Sequence, residues 1–389
     1  MRLYRLVVPG LIVTLFVVSF FASTLVRDAK AAVDAPGVGA TGSVLPAAGS
    51  FAGPGITAFQ VPIPDAAPRY SGSLPACAGI TIDVLSTPEC DAAMAAQPYP
   101  DVTQIPFDLG VIADEDFIYF DLDEVPLYDA PDGDEIEVLT AGRSAYVNVI
   151  QTRGDWAEIR PGRWASLEHA IYAQPSTLTG VIINSIPMPF AWAIYDHCTS
   201  LTPGGSRNCS RSGTLYRYDL MNIYATVKVG EWDWHLVGPD QWTNQKNLSI
   251  VHPTPPTVFA GKWVGVSTYE QNLVAYSGDY PYMAALVSTG DMDEERWRTD
   301  TGTWKVELFW EVGPMEGAAG SDNFYALDQV PYHMYFNWRE ALHGVYWHDN
   351  FGYYWSHGCV NLTVSDAKWL WDNWVNMNTV VYVYDEKLS

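Results

Sequence analysis

The chain has 389 residues, 48% of them hydrophobic and 14% aromatic, more than one ordinary domain uses and ample for buried cores, so two or three domains are expected. Its formal net charge of −24 repels polyanions at long range, which excludes nucleic acid as a partner and disfavours anionic lipid surfaces.

Arg2 and Arg5 precede an apolar run from Leu6 to Phe21, and Ala29-Lys30-Ala31 offers a small-x-small cleavage site, so residues 1–31 read as an export signal. The run from Leu6 to Val26 also approaches the ~20 residues that span a bilayer, and an uncleaved membrane anchor is the alternative. Residues 32–110, rich in Ala, Gly, Pro and Ser, read as an extended linker. Five cysteines in an exported chain invite pairing. Cys77 with Cys90, and Cys198 with Cys209, enclose short loops, which leaves Cys359 as the unpaired thiol; a free or intermolecular Cys77 or Cys90 is the alternative.

An internal repeat follows. Asp155-Trp156 through Pro161-Gly162-Arg163-Trp164 matches Asp233-Trp234 through Pro239-Asp240-Gln241-Trp242 as D-W-x4-P-x-x-W, 78 residues apart. Each copy follows a β-rich run, Ala145 to Ile150 or Ile223 to Val229, so residues 111–175 and 176–255 are expected as two small β-barrel modules. They resemble bacterial SH3-like domains, which implies possible glycan or wall contact.

The C-terminal third is again β-rich. Trp304, Val306, Leu308 and Trp310 alternate with Lys305, Glu307 and Phe309 as one half-buried strand, and Thr379 to Tyr384 reads as another. Between them Thr363-Val364-Ser365-Asp366 opens a helix on which Ala367, Leu370, Trp371 and Trp374 recur at helical spacing. The overall expectation is a mostly β protein.

The chemistry concentrates between His343 and Asn361. Cys359 is the candidate nucleophile, and a thiol with pKa ~8.5 needs a base or a positive environment to act. Gly358 permits a tight turn whose backbone N–H groups, with that of Cys359, can form an oxyanion hole. This arrangement points to acyl transfer. A zinc site from His343, His348, His357 and Cys359 is the competing reading, but the spacing matches no usual ligand pair. His333 and His348 otherwise read as ordinary core or surface residues.

His343-Gly344, then Ser356-His357-Gly358-Cys359-Val360-Asn361, resembles the signature of the L,D-transpeptidases (YkuD family) over residues 259–386. Trp263 to Tyr276 resembles the opening hairpin, and Ser288-Thr289-Gly290 with Thr299 to Trp304 resembles a further segment of that domain. Asp300 stands where the family usually has proline and Asn361 where many members have arginine. The resemblance implies a β-sandwich with one helix after the cysteine, and a peptidoglycan L,D-transpeptidase acting on stem peptides without cofactor or metal. In it Cys359 is the nucleophile and His343 the base, oriented by the Gly344 carbonyl, with His357 and Ser356 supporting. By position Tyr332, Asn361 and Trp355 are expected substrate contacts, and half of the aromatic run 346–355 is expected in the core. Hydrolysis by an L,D-carboxypeptidase and wall binding by an inactive domain are the alternatives. Sortases need an arginine after the cysteine, and NlpC/P60 peptidases place cysteine before histidine; neither fits.

Overall fold

The structure is a computed structural model and describes residues 74–387, apart from 143, 293, 319, 320, 322 and 323. The export signal or anchor at 1–31 and most of the expected linker lie outside the described residues. No helix among the described residues is long and apolar enough to cross a membrane.

Two seven-stranded sheets form a β-sandwich. The first runs in the order Asp101–Gln104, Val181–Ser185, Tyr280–Leu286, Asn272–Ser277, Lys262–Ser267, Val380–Tyr384, Gly302–Lys305. Its centre is the hairpin in which Trp263 pairs with Tyr276, joined in parallel to the last strand through Trp263 and Val380. The second runs Val360–Thr363, Glu340–Val345, Tyr325–Asn337, Ala145–Asn148, Phe117–Phe120, Ala170–Tyr172, with Leu308–Gly317 paired along Tyr325–Asn337. Val264, Leu273 and Val381 from the first sheet meet Met334, Leu342 and Leu362 from the second, all fully buried. Each such side chain contributes ~1.5–3 kcal/mol by leaving water.

The helix Val364–Asn373 closes one end of this core. Thr363 caps it by accepting the Asp366 N–H at 3.2 Å, and Ala367 and Leu370 are buried on one face. Trp374, just past it, donates from its indole to the Trp263 carbonyl at 3.1 Å.

Two features depart from the sequence reading. Within the expected linker, Pro88–Ala96 is a helix and Asp101–Gln104 an edge strand, because Thr103, Gln104 and their neighbours find an antiparallel partner in Val181–Ser185. The alternation across 304–310 is not one strand. At Val306 and Glu307 the chain leaves the first sheet for the second, donating to the Thr379 and Tyr335 carbonyls in turn. Leu308 and Trp310 consequently stand 53% and 47% exposed. Both repeat copies are hairpins of identical register: Trp156 faces Ser166 and Trp164 faces Glu158 in one, Trp234 faces Asn244 and Trp242 faces Leu236 in the other. The first lies in a five-stranded sheet and the second in a three-stranded one. Disulfides join Cys77 to Cys90 and Cys198 to Cys209, and Cys359 is free.

Candidate active site

Parallel pairing of Glu340–Val345 with Val360–Thr363 sets the site. Leu342 stands opposite Val360, so Cys359, one step earlier, falls beside Ala341. The pleat puts residues 341 and 343 on one face, and Cys359 and His343 therefore project to the same side. Both line a cleft of about 690 Å³.

The His343 ring is buried, and its Nδ1 lies 3.1 Å from the Gly344 carbonyl. A neutral ring donating there keeps its lone pair on Nε2, the form a base needs. Burial, reinforced by His333 and His348, lowers its pKa to about 3. Position 344 is tight for any larger residue, because a Cβ there would come within 3.0 Å of Pro331 and 3.1 Å of the Val364 backbone.

The Cys359 thiol donates to the Arg339 carbonyl at 3.6 Å. Burial pushes its pKa up, to about 12, with the Glu340 carboxylate adding to the rise and the Ala341 N–H and Arg339 guanidinium opposing it. At rest the pair is therefore thiol and neutral imidazole.

Ser356 ties the turn before the cysteine. Its Oγ accepts the Gly358 N–H at 3.1 Å and donates to the Cys359 carbonyl at 2.5 Å. Gly358 has φ of 121°, a region that favours glycine. Its N–H, expected to point at an oxyanion, is thus engaged by Ser356. Thr299 braces the far side, donating to the Gly358 carbonyl and accepting from the Gly290 N–H, both at 2.9 Å. Beneath the turn Glu340 is 4% exposed; it accepts the Asp300 N–H at 3.0 Å and the Asn337 amide at 2.9 Å. A proline at 300 would have no N–H to give, so the departure at Asp300 supplies this contact. Burial raises the Glu340 pKa to about 7.

Trp355, Ser356, His357 and Asn361 also line the cleft. The His357 ring packs at 4.7 Å against Trp297 and 4.8 Å against Tyr325. Tyr332, expected as a substrate contact, is placed elsewhere: it is 3% exposed and its hydroxyl accepts the Val111 N–H at 2.9 Å, because its strand turns that side chain toward the helix-side core. The aromatic run divides, with Tyr346 and Phe351 fully buried and Tyr353, Tyr354 and Trp355 exposed.

Other cleft residues escaped the sequence reading. His348, expected to be ordinary, lines the cleft and lies 2.9 Å from the Asn361 amide. Arg339, which lines the cleft, sits in the hairpin turn just before His343, and Glu340 opens the strand that carries His343, a proximity that could have marked them. Tyr119 and Tyr146 form another wall; some 200 residues upstream of the motif, they give no sequence signal. Among the described residues no group of three His, Cys, Asp or Glu is gathered to hold a metal.

Residues 261–383 match the YkuD family, the L,D-transpeptidase catalytic domain. The C-terminal third thus carries an L,D-transpeptidase catalytic domain. The chain is similar to a solved L,D-transpeptidase from Xylanimonas cellulosilytica, with 25% identity over 34% of this chain and 65% of that one, at a TM-score of 0.28. It is similar to one from Stackebrandtia nassauensis, with 26% identity over 34% and 60% and a TM-score of 0.27. The catalytic domain of the Enterococcus faecium L,D-transpeptidase is 22% identical over 32% of this chain and 98% of that one, at a TM-score of 0.29. The chain spans less than two thirds of the first two. No curated protein matches it. The matched L,D-transpeptidase region begins at the Lys262–Ser267 strand and omits Asp101–Gln104, Ala145–Asn148 and Val181–Ser185, which complete its sheets.

Proposed function

We propose that the chain is an exported peptidoglycan L,D-transpeptidase. The observation that carries this is the placing of His343 and Cys359 on one face of one cleft by parallel strand pairing, within the matched catalytic domain. Cys359 Sγ adds to the carbonyl of the third stem residue while His343 Nε2 takes the thiol proton. The tetrahedral oxyanion is held by backbone N–H donors including that of Cys359. As it collapses, the bond to the terminal D-alanine breaks, the proton passes from His343 to the departing amine, and a thioester remains. An amine of a second stem then attacks that carbonyl, loses its proton to His343, and expels Cys359 sulfur as a cross-link forms. Ser356 and His357 hold the turn and the cleft wall, while Trp355 and Asn361 contact the stem.

The two hairpin repeats are read as SH3-like modules that face or space the wall, and residues 1–31 as the export signal or anchor, which places the catalytic domain on the extracytoplasmic side.

The test is to incubate the protein with a disaccharide-tetrapeptide and follow intact-protein and product masses. An acyl adduct on wild type, absent from Cys359→Ala and slowed by orders of magnitude in His343→Ala, with a dimeric muropeptide as product, is expected. Tripeptide as the sole product would make it a carboxypeptidase. Full cross-linking by Cys359→Ala would refute the nucleophile.

A further inference from the structure

A second pocket, of about 240 Å³, lies on the second hairpin repeat and shares no lining residue with the catalytic cleft. Tyr195, Trp232, Trp234 and Trp242 give it aromatic walls, with Arg207 and Lys246 beside them. Lys246 Nζ sits 3.4 Å over the Trp232 ring, and Arg207 donates to the Tyr195 hydroxyl at 3.1 Å. Among the described residues neither cation has a carboxylate within ion-pair reach. In a chain of net charge −24, two such cations at one pocket are a local exception.

The repeat supplies an internal control. The two hairpins share register and end in the same single 3-10 turn, capped by Ser166 in one and Asn244 in the other. At the positions matching Trp232 and Lys246, the first copy has Gly154 and Glu168. The scaffold therefore needs neither an indole at the 232 position nor a cation at the 246 position; the first copy instead sets Arg153 over Trp164, the residue that matches Trp242.

We propose that this pocket binds the free carboxylate end of a peptide. On the proposed wall-directed reading, which this rests on for its source, the ligand is the C-terminal D-residue of an uncross-linked stem. The chemistry follows from the lining. A carboxylate needs cationic donors, Arg207 and Lys246, whereas a neutral sugar needs none; a small side chain packs on the indole faces. At about 240 Å³ the pocket is smaller than the ~300–1,000 Å³ of sites that enclose whole drug-sized ligands, so it takes one chain end. Recognition of an unreacted end at a place separate from the cleft would hold the enzyme where its substrates remain.

The experiment titrates full-length Cys359→Ala protein with N-acetyl-D-alanyl-D-alanine, its C-terminal amide, and N,N′-diacetylchitobiose, reading the Trp232 and Trp234 indole N–H resonances. The acid is expected to shift both, and the amide to bind at least tenfold more weakly. The double variant Arg207→Gln/Lys246→Gln should also bind the acid at least tenfold more weakly while its remaining indole signals keep their positions. Equal shifts from acid and amide, shifts from the chitobiose alone, or none from the acid would each overturn the proposal. Acylation of wild-type Cys359 by tetrapeptide is read separately by mass, so failure of the proposed reaction and failure of this pocket are distinguishable.

Discussion

The resting state of Cys359 makes a quantitative prediction about its reactivity. Burial lifts the thiol pKa to about 12, so at a given neutral pH the thiolate fraction falls by on the order of a thousandfold relative to an ordinary cysteine, each pH unit being a factor of ten. The other four cysteines are held in disulfides, so a thiol reagent has one target. Alkylation by iodoacetamide, followed by intact mass at fixed reagent between pH 6 and 10, should rise about tenfold per pH unit without levelling, because the reagent takes only the thiolate. Acylation by tetrapeptide should behave differently. There His343, with a pKa of about 3, is already the free base throughout and takes the proton during attack, so the rate should be nearly flat from pH 6 to 9. An alkylation rate that reached a plateau between pH 6 and 8 would refute this reasoning, since it would show a stable thiolate–imidazolium pair at rest.

Glu340→Gln keeps an acceptor for the Asp300 N–H and removes the negative charge that adds to the thiol's rise; alkylation above pH 7 should accelerate several-fold, and an unchanged rate would place that charge too far away to matter. Ser356→Ala leaves the Gly358 N–H without its partner, at ~1–3 kcal/mol, which thermal melting should register as a loss of stability, with slowed acylation alongside. Gly290→Ala would drive a Cβ to 1.9 Å from the Trp297 carbonyl, so the variant should be strongly destabilised, beyond the ~1–3 kcal/mol of ordinary overpacking. Asp366, fully enclosed, has its pKa raised from 3.8 to about 7 by burial. Folding therefore favours its protonated form, and its contribution is full below pH 3.8 and lost as pH rises toward 7. In denaturant melts Asp366→Asn should gain on wild type across that window; a difference independent of pH would contradict the assignment.

The placing of His343 and Cys359 in one cleft was legible because its signal is local: a histidine, a glycine and a cysteine at fixed spacing, with a helix start four residues beyond the cysteine. The repeat was legible for the same reason, and its two copies do share one register. The strand change at Val306 was not, since alternation looks the same on either side of a crossing between sheets. Tyr332 was misjudged because its position near the motif in sequence says nothing about which way its strand turns it. Asp101–Gln104 was hidden by composition: an edge strand with a burial pattern this open has no apolar face to show. Tyr119 and Tyr146 reach the cleft only through long-range pairing of Ala145–Asn148 with Tyr325–Asn337, which no local pattern encodes.

That pairing, and the pairing of Val181–Ser185 on Tyr280–Leu286, bear on how such an enzyme can be cut or recombined. A fragment beginning near residue 259 would keep His343 and Cys359 yet present two bare strand edges, the kind of surface that recruits other chains into aggregates. The regions before the catalytic domain are therefore not interchangeable beads on a string; any exchange of them between enzymes must carry its own edge-covering strands along.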